Sequence, residues 1–526
     1  MLTQQNKTLI DSSNKAENIT IEDAGSYYAG TNVEDALQEA AIKLGSTVHI
    51  DQYINPVDGS GPVSDSAALT AACNAAETIY FGGTTMDIDA DWSFPTGGKA
   101  RRWMFQGNTW NLTNNAKILI DVDDFVIIGD GATVNGNWKI AKVNGETAAT
   151  PQTITVESGH NFEVGDHVAC SFADQYLPNS TSRIGGANPL TEFNTVTAKT
   201  DTSITLEYSV DDTDTVSSTS NTLPGGAELI NARFDKYGIG FTGSRSFHIE
   251  GVKFENMPNA YAIYCRDSNE TVRANFIDCE IDGCALDMMT FQGDYLYMKN
   301  VKVRDARDIA KQVLVWANET KTGRLYAEGC DWAHNNRDAF LYSTLSTTDD
   351  KAYQPDMTWV NCVFDGRNTR SFTPRQLDDN ESLFWQNRGG ASHMIAGTAT
   401  FINCDFFNIQ RGILGTTSTG IEVFTQDKMT FQNCNMDAIG LLVVSTGISR
   451  RNIEPLTYQN CNVRASEYIL HRGGSEVYFQ NCVIQERGAS NIDYFRTGSE
   501  QTETSTTTTR VYHEGEYVIN NGSGLV

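Results

Sequence analysis

The sequence predicts a right-handed parallel β-helix, a fold in which one chain winds into stacked coils. Nine copies of a short phrase lie between residues 249 and 484, and FINCDF at 401–406 and FQNCNM at 431–436 show it most plainly. Apolar and polar residues alternate within each copy, as in a strand with one buried face. A phrase that returns every few tens of residues is typical of stacked repeats rather than of a mixed globular fold.

Each copy can be numbered from one position, here called the anchor, which is most often Cys. The nine anchors are Val252, Cys279, Val301, Cys330, Cys362, Cys404, Cys434, Cys461 and Cys482. They are separated by 27, 22, 29, 32, 42, 30, 27 and 21 residues, by subtraction of their positions. The shortest step is one bare coil and the longer steps carry loops, so eight steps of about 4.8 Å stack to roughly 38 Å.

Three positions of each copy are predicted to line one core: the anchor, the residue two places after it and the residue three places before it. Trp332, two places after an anchor, is therefore assigned to the core and not to a ligand site. The position three before the anchor is mostly aromatic and is expected to stack from coil to coil. Its residues are Ile249, Phe276, Met298, Ala327, Trp359, Phe401, Phe431, Tyr458 and Phe479.

The residue just before each anchor is predicted to form a corner, because it is always Gly, Asn or Asp. These residue types tolerate a left-handed backbone, and stacked Asn side chains can also hydrogen-bond to their neighbours above and below. The nine corner residues are Gly251, Asp278, Asn300, Gly329, Asn361, Asn403, Asn433, Asn460 and Asn481.

The composition of the 526-residue chain excludes several classes of partner. A formal charge of -27 argues against nucleic acid and anionic membrane surfaces. The N-terminus lacks a basic and apolar signal segment and no run of about 18 apolar residues exists, so we expect neither Sec export nor a membrane span. Most of the 11 cysteines are anchors, and we expect free, buried thiols of a protein made in a reducing cytosol.

We predict five segments: a connector at 1–47, the start of the β-helix at 48–141, an inserted small β-domain at 142–227, the main β-helix at 228–497 and a C-terminal linker and strand at 498–526. The connector holds a short amphipathic helix over 33–45. A second helix is expected from about Ser66 to Ala76, followed by a strand at Ile79–Phe81. Turn signals between two strand-rich halves indicate the insertion, and the final strand at 510–519 can pair in an oligomer.

Aspartates in three successive copies form the candidate catalytic site. Counted from their anchors, Asp287 is at plus eight, Asp308 at plus seven and Asp338 at plus eight, each at the start of a predicted strand. The same place holds Ala260 before them and Arg370 and Arg411 after them. Carboxylates stacked about 4.8 Å apart repel one another, which raises the pKa of at least one, as a general acid requires.

Two further aspartates, Asp282 and Asp305, are predicted as partners of this column from neighbouring positions. Retaining glycosidases hold their carboxylates about 5 to 5.5 Å apart and inverting ones about 6.5 to 9.5 Å apart. Both separations are possible in a stack of coils, so the sequence leaves the stereochemistry open.

The longest steps follow Cys330 and Cys362, so the largest loops are expected beside the end of the acidic column. Aromatic planes stack on sugar rings and arginine can hold an acidic sugar. On this basis the candidate substrate-binding residues are Trp316, Trp385, Arg337, Arg388 and Glu381.

Two segments carry a resemblance to a known family. The stretch from PVDGSGPVSDSAAL to IYFGG resembles the start of the pectate-lyase-like β-helix in phage tailspikes, and GTNVEDALQE resembles the segment that precedes such domains in phage tail proteins. With the later coils the similarity spans most of residues 19–497. It implies a virion-attached homotrimer that is made in the host cytoplasm. It further implies an N-terminus that binds other tail proteins, and a bacterial capsule or O-antigen as the substrate.

Three functions remain open at the level of sequence. The first is hydrolysis of a glycosidic bond by two of the five aspartates, with no cofactor. The second is a polysaccharide lyase on the same fold, for which Arg304, Arg307 and Arg337 lie near the column. The third is a non-enzymatic receptor-binding spike. Metal signals are weak: DIDADWSFPTGG at 87–98 has Trp92 and Gly98 where a calcium loop needs Gly and Glu.

Overall fold

The chain folds as a parallel β-helix, as predicted, with strands of successive coils paired in parallel on three sheet faces. The fold is drawn from a computed structural model, which describes residues 47–54, 63–114, 116–137, 139–146, 152–172, 194–207, 227–231, 233–241, 245–257, 259–265, 273–284, 287–292, 294–306, 315–316, 324–333, 340–344, 356–365, 384–388, 398–411, 414–415, 428–445, 456–465, 469–472, 477–486, 495–497, 511–514 and 518–519.

The first face comes before the corner of each coil. Fourteen of its strands are described, and the 13 steps between them correspond to about 62 Å at ~4.8 Å a step. They are Thr47–His49, Thr78–Gly82, Arg102–Phe105, the first half of Phe125–Asn135, the first half of Ser246–Met257, Arg273–Ile277, Tyr295–Lys299, Arg324–Glu328, Asp356–Val360, Thr398–Ile402, Lys428–Gln432, Leu456–Gln459, Val477–Gln480 and Val511–Glu514.

The second face follows the corner. Its strands are Met86–Ile88, Thr109–Leu112, the second halves of Phe125–Asn135 and Ser246–Met257, Glu280–Cys284, Lys302–Ala306, Asp331–Ala333, Val363–Asp365, Asp405–Arg411, the start of Asn435–Ser445, Asn462–Ala465, Val483–Glu486 and Val518–Ile519.

The third face is formed by two sets of strands. The first set is Trp92–Ser93, Ile118–Ile120, Arg233–Phe241, Asn259–Cys265, Asp287–Gln292 and Val315–Trp316. The second is Phe340–Thr344, Phe384–Arg388, Leu414–Gly415, the end of Asn435–Ser445, Ile469–Arg472 and Phe495–Thr497.

The corner predicted before each anchor is confirmed by its backbone. All nine corner residues have a positive φ, between 51° at Asn300 and 68° at Gly251. Their side chains also form the expected ladder: the Asn433 amide donates to Asn403 Oδ1 and the Asn460 amide to Asn433 Oδ1, each at 3.1 Å. A left-handed corner with its own hydrogen bonds explains why these residue types recur.

The three core columns are confirmed by burial. The aromatic column stacks from coil to coil: the Trp359 and Phe401 rings are 4.6 Å apart and the Tyr458 and Phe479 rings also 4.6 Å, each pair nearly parallel. Trp332 is fully buried, as assigned. The anchor thiols donate to backbone carbonyls of their own and the preceding coil, as Cys434 does to Gln432 and Phe401.

Two helices lie at the start of the coil stack, Asp51–Ile54 and Asp65–Ala75. The second agrees with the predicted helix and begins at Ser64, whose hydroxyl accepts a hydrogen bond from the Ala67 N–H. Leu69 and Cys73 belong to the same core as the first coils, so this helix covers the end of the stack. The helix predicted over 33–45 lies outside the described residues.

A closed antiparallel barrel interrupts the coils between the second and third strands of the first set on the third face, Ile118–Ile120 and Arg233–Phe241. Its strands are Ile140–Glu146, Thr153–Val156, His167–Phe172, Asn194–Lys199, Ser203–Leu206 and Ala227–Asn231. It has a separate apolar core formed by Ala141, Ile154, Val156, Phe162, Val168, Val196, Ile204, Leu206 and Leu229. An inserted small β-domain was predicted here, and the paired strands begin and end a few residues outside 142–227.

The two segments that connect the β-helix to the barrel are hydrogen-bonded to each other. The Lys139 N–H donates to Asn231 Oδ1 at 2.6 Å, and the Asn231 N–H donates to the Lys139 carbonyl at 3.1 Å. The Lys139 ammonium also pairs with Asp166 at 2.7 Å. Asn231 is almost fully buried, so these bonds hold the exit and the return of the chain together.

The C-terminal strand, which was predicted to be able to pair in an oligomer, pairs within its own chain. Val511–Glu514 pairs in parallel with Val477–Gln480, and Val518–Ile519 pairs with Val483–Glu486. The predicted final strand therefore adds to the coils of its own chain, because RVYHEGEYVI repeats the apolar alternation of the coil below it. The run predicted as a linker lies outside the described residues.

Candidate functional site

Two of the predicted site residues lie on neighbouring strands of the third face. Asp287 is the first residue of Asp287–Gln292, as predicted. Trp316 ends the next strand and lies opposite Gln292. The strand Asn259–Cys265 runs below, with Tyr261 opposite Asp287. The third face therefore brings a carboxylate position and a tryptophan position onto one continuous parallel sheet.

Two more of them, Trp385 and Arg388, share one strand higher on the same face. In Phe384–Arg388, Trp385 lies opposite Leu341 and Arg388 opposite Thr344. Four of the ten candidate residues thus fall on third-face strands, although Trp385 and Arg388 were placed in a large loop by the sequence analysis.

Counting residues from the anchor does not place them correctly beyond the second face of each coil. It put Ala260 level with Asp287, but the residue opposite Asp287 is Tyr261. It also put Arg411 in the same column, but Arg411 ends the second-face strand Asp405–Arg411 and lies opposite Leu441. The physical reason is that the connection between second and third faces changes length from coil to coil, so a count from the anchor drifts.

Several candidates lie outside the described residues. These are Asp308, Asp338, Arg337 and Glu381. The stacked acidic column of Asp287, Asp308 and Asp338 therefore stays a prediction, as do its raised pKa and the overhang of the two large loops.

Asp282 lies in an ion-pair network on the second face. The Lys253 ammonium is 2.9 Å from Glu255, 3.6 Å from Asp282 and 3.8 Å from Glu280. The Glu255 hydrogen bond is the main cause that raises the pKa of Lys253, with Asp282 and Glu280 contributing. In the coil above, Arg304 lies opposite Asp282. Glu255 lies opposite Asp282 in the coil below, and the Lys253 ammonium lies among these carboxylates, so the cation offsets the repulsion between like charges on neighbouring strands.

The arginine above it is also paired. Arg304 forms a short ion pair with Asp331, and both side chains are about two-thirds buried. A guanidinium held by a carboxylate in this way is fixed in position. The pair gives Arg304 a structural role in the second face and argues against it as a lyase base.

Asp305 is level with a second corner of the coil, at the end of the second face. Cys284 lies opposite Ala306, so Asp305 is level with Gly283, and Asn256 has the same place one coil below. Gly283 has a φ of 83° and Asn256 a φ of 52°. The two residues level with Asp305 therefore turn the chain in a left-handed conformation, which aspartate also tolerates.

No group of three or more His, Cys, Asp or Glu side chains suited to a metal ion occurs in the part of the chain that is described. Within the same residues, neither helix has the length and apolar character required to cross a membrane.

Sequence reasoning missed one outward surface on the first face. Arg273, Tyr295 and Arg324 lie opposite one another on three successive strands, and Asn275, Tyr297 and Tyr326 do so two residues further along. The signal was present in the sequence, since both columns stand at fixed distances before the anchor, but only inward columns were aligned.

Comparison with known proteins adds structural relatives and no sequence relatives. No family model matches the chain, and no curated protein sequence matches it significantly. Among solved structures, the gp54 tailspike of Acinetobacter baumannii bacteriophage AP22, solved with an A. baumannii capsular saccharide, is 11% identical with a TM-score of 0.32, over 97% of this chain and 74% of that one.

Two further tailspikes match, both from Pseudomonas phages. The gp49 tailspike of phage LKA1 is 13% identical with a TM-score of 0.23, over 90% of this chain and 79% of that one. The gp61 tailspike of phage phi297 is 11% identical with a TM-score of 0.24, over 91% and 78%. At these identities the likeness concerns fold alone, and the solved structures to which this β-helix is similar are phage tailspikes.

Proposed function

We propose that this protein is a phage tailspike that binds a host surface polysaccharide, capsule or O-antigen, and hydrolyses its glycosidic bonds with paired carboxylates. The proposal rests mainly on the third face, where Asp287 and Trp316 lie on paired strands and Trp385 and Arg388 on a strand further up. A ladder of parallel strands presents a long, nearly flat surface, which suits an extended polymer better than a small molecule.

We take Asp287 as the first catalytic candidate. It begins a third-face strand, whereas Asp282 is engaged by Lys253 and Asp305 is level with the corner residues Gly283 and Asn256. Its partner carboxylate is one of Asp308 and Asp338, or a carboxylate of a neighbouring subunit in a homotrimer. One carboxyl group protonates the leaving oxygen and the other acts as nucleophile or activates water.

The solved relative from phage AP22 carries a capsular saccharide, which is why bacterial surface polysaccharides form the test panel. Purified protein is incubated with capsular and O-antigen polysaccharides, and reducing ends and the ultraviolet absorbance of unsaturated uronates are measured. A hydrolase releases reducing ends without that absorbance, a lyase gives both, and a non-enzymatic spike gives neither.

Single variants then test the residues. We expect Asp287→Asn to lower the cleavage rate by about 10²- to 10⁴-fold, the usual contribution of a general acid or base, while polysaccharide binding is retained. Asp308→Asn is expected to do the same if the two share the site. Asp282→Asn is the matched control, since it removes an exposed carboxylate of the ion-pair network. Full activity of the Asn variants at 282, 287, 305, 308 and 338 would overturn the assignment.

A further inference from the structure

The first face carries an outward patch of two arginines and three tyrosines. Arg273, Tyr295 and Arg324 form one column and Tyr297 and Tyr326 part of the next. The residues between them, such as Leu296 and Leu325, are buried, so strand alternation puts the patch on the outside. Both arginines are exposed and all three tyrosines are half-buried.

The patch is held in place by its own contacts. The Arg273 guanidinium lies over the Tyr295 ring, 5.3 Å from the ring centre, and its Nε donates to Asn275 Oδ1 at 3.1 Å. The Tyr297 and Tyr326 rings are stacked, with centres 5.8 Å apart and planes 12° apart. A guanidinium packed on a ring and fixed at Nε presents its remaining N–H groups outward in a defined orientation.

The two arginines are absent from the ion pairs of the described residues. The ion pairs within the described residues use the side chains of Lys139, Lys199, Arg245, Lys253 and Arg304. Neither Arg273 nor Arg324 takes part in them. Asp356 lies opposite Arg324 on the next strand, yet neither arginine forms an ion pair within the described residues. In a chain with a formal charge of -27, two exposed arginines set among tyrosines are an arrangement that favours an anionic ligand.

The size of the patch fits sugars. Three successive coils span about 10 Å along the coil axis, and two outward positions about 7 Å along a strand, which is room for one or two sugar rings. Tyrosine rings offer apolar contact to a sugar and their hydroxyls offer hydrogen bonds. Guanidinium N–H pairs match the geometry of a carboxylate.

We propose that this patch binds an acidic sugar unit of the polysaccharide, with Arg273 and Arg324 holding its carboxylate and Tyr295, Tyr297 and Tyr326 contacting its ring. The inference rests on the proposed polysaccharide binding and adds the charge of the ligand. It also separates a binding surface on the first face from cleavage on the third face.

The test uses the full chain and one polysaccharide from the panel that the wild-type protein binds and that contains uronic acid. Half of the polymer is treated with carbodiimide and borohydride, which reduces its carboxylates to primary alcohols and leaves its linkages intact. We expect wild-type protein to bind the reduced polymer at least tenfold more weakly, since charge-assisted hydrogen bonds are lost.

Variants localise the effect. Arg273→Gln and Arg324→Gln are each expected to weaken binding to the native polymer by about tenfold and to leave binding to the reduced polymer unchanged. Arg→Lys at either position keeps the charge but loses the paired N–H groups of the guanidinium. It is expected to retain only part of the wild-type affinity. Lys302→Gln is the matched control, because it removes one charge from the second face. Circular dichroism confirms that each variant is folded.

Three outcomes overturn the inference and can be told apart. If wild-type protein binds the native and reduced polymers equally, the carboxylate is not recognised. If the arginine variants change the oligomeric state in sedimentation and leave binding intact, the patch is a contact between subunits. If no polysaccharide of the panel is bound at all, the proposed function fails and this inference falls with it.

Discussion

At Gly329 the corner ladder changes from asparagine to glycine. The residue has a φ of 63° and a Cβ built there would lie 2.6 Å from Asn300 Oδ1. The asparagine ladder is broken at this level, because Asn300 below and Asn361 above have no side-chain amide between them. The position therefore tests whether the corner geometry or the ladder contributes more to stability.

We predict that Gly329→Ala lowers the free energy of unfolding by about 1–2 kcal/mol, the usual cost of a left-handed alanine. Gly329→Asn is expected to cost less, because asparagine tolerates this conformation and restores a ladder amide. The midpoint of urea unfolding measures both. Equal midpoints for wild type and the alanine variant would show that the corner is not strained.

The anchor thiols are chemically quiet for a physical reason. Burial raises the pKa of Cys279 to about 12, and the hydrogen bond with the Cys404 thiol is the main cause that raises the pKa of Cys434 to about 12. Thiolate is the reactive form, so a thiol with a raised pKa remains protonated at neutral and mildly alkaline pH.

We predict that maleimide labels at most three cysteines of the native protein at about pH 8. Eight cysteines are free and buried and the sequence has 11, which leaves three. All 11 are expected to react after denaturation, and mass spectrometry counts the labels. Fewer than 11 labels in denaturant without reductant would indicate disulfides and contradict the free-thiol assignment.

Single coils show how far the sequence could predict this fold. From three residues before the anchor to two after it, every inward position whose burial is described was assigned correctly, because the corner residue fixes both adjoining strands. Beyond the second corner the assignment fails, as Tyr261 and Arg411 show. The connection between the second and third faces varies in length, so no residue recurs at a fixed distance from the anchor beyond it.

The inserted barrel is an element with its own core, and the two segments that connect it to the coils lie side by side. Its six strands close on themselves, and Lys139 and Asn231 hydrogen-bond to each other where the chain leaves and returns. Its apolar core is separate from that of the coils. Such an element is expected to fold independently of the β-helix.

We predict that residues 137–233 produced alone give a folded domain, with dispersed amide resonances in a two-dimensional NMR spectrum. Asn231→Ala is expected to lower its stability by about 1–3 kcal/mol, because it leaves the buried Lys139 N–H unpaired. Thr197→Ala, at an exposed position of the same barrel, serves as control. A collapsed spectrum for the isolated segment would show that the barrel needs the coils.

For the whole molecule, sequence and structure agree on the stacked coil and leave the chemistry as a proposal. Asp287, Trp316, Trp385 and Arg388 share the third face because the coil repeats, whereas Asp282 is in an ion-pair network with Lys253 on the second face. The Tyr and Arg columns of the first face stand at fixed distances before the anchor, and strand register shows that their members lie opposite one another. Paired strands place residues that are distant in sequence beside each other. The loops between these strands differ in length, so the sequence alone does not specify which residues become neighbours.

The central claim is that the protein hydrolyses a polysaccharide at its third face, and heavy-oxygen water tests it most directly. A bound polysaccharide is digested in water labelled with heavy oxygen, and the oligosaccharide products are weighed. The account predicts one labelled oxygen at each new reducing end with wild-type protein and almost no products with Asp287→Asn. Unlabelled, unsaturated products, or a full yield of labelled products from Asp287→Asn, would contradict it.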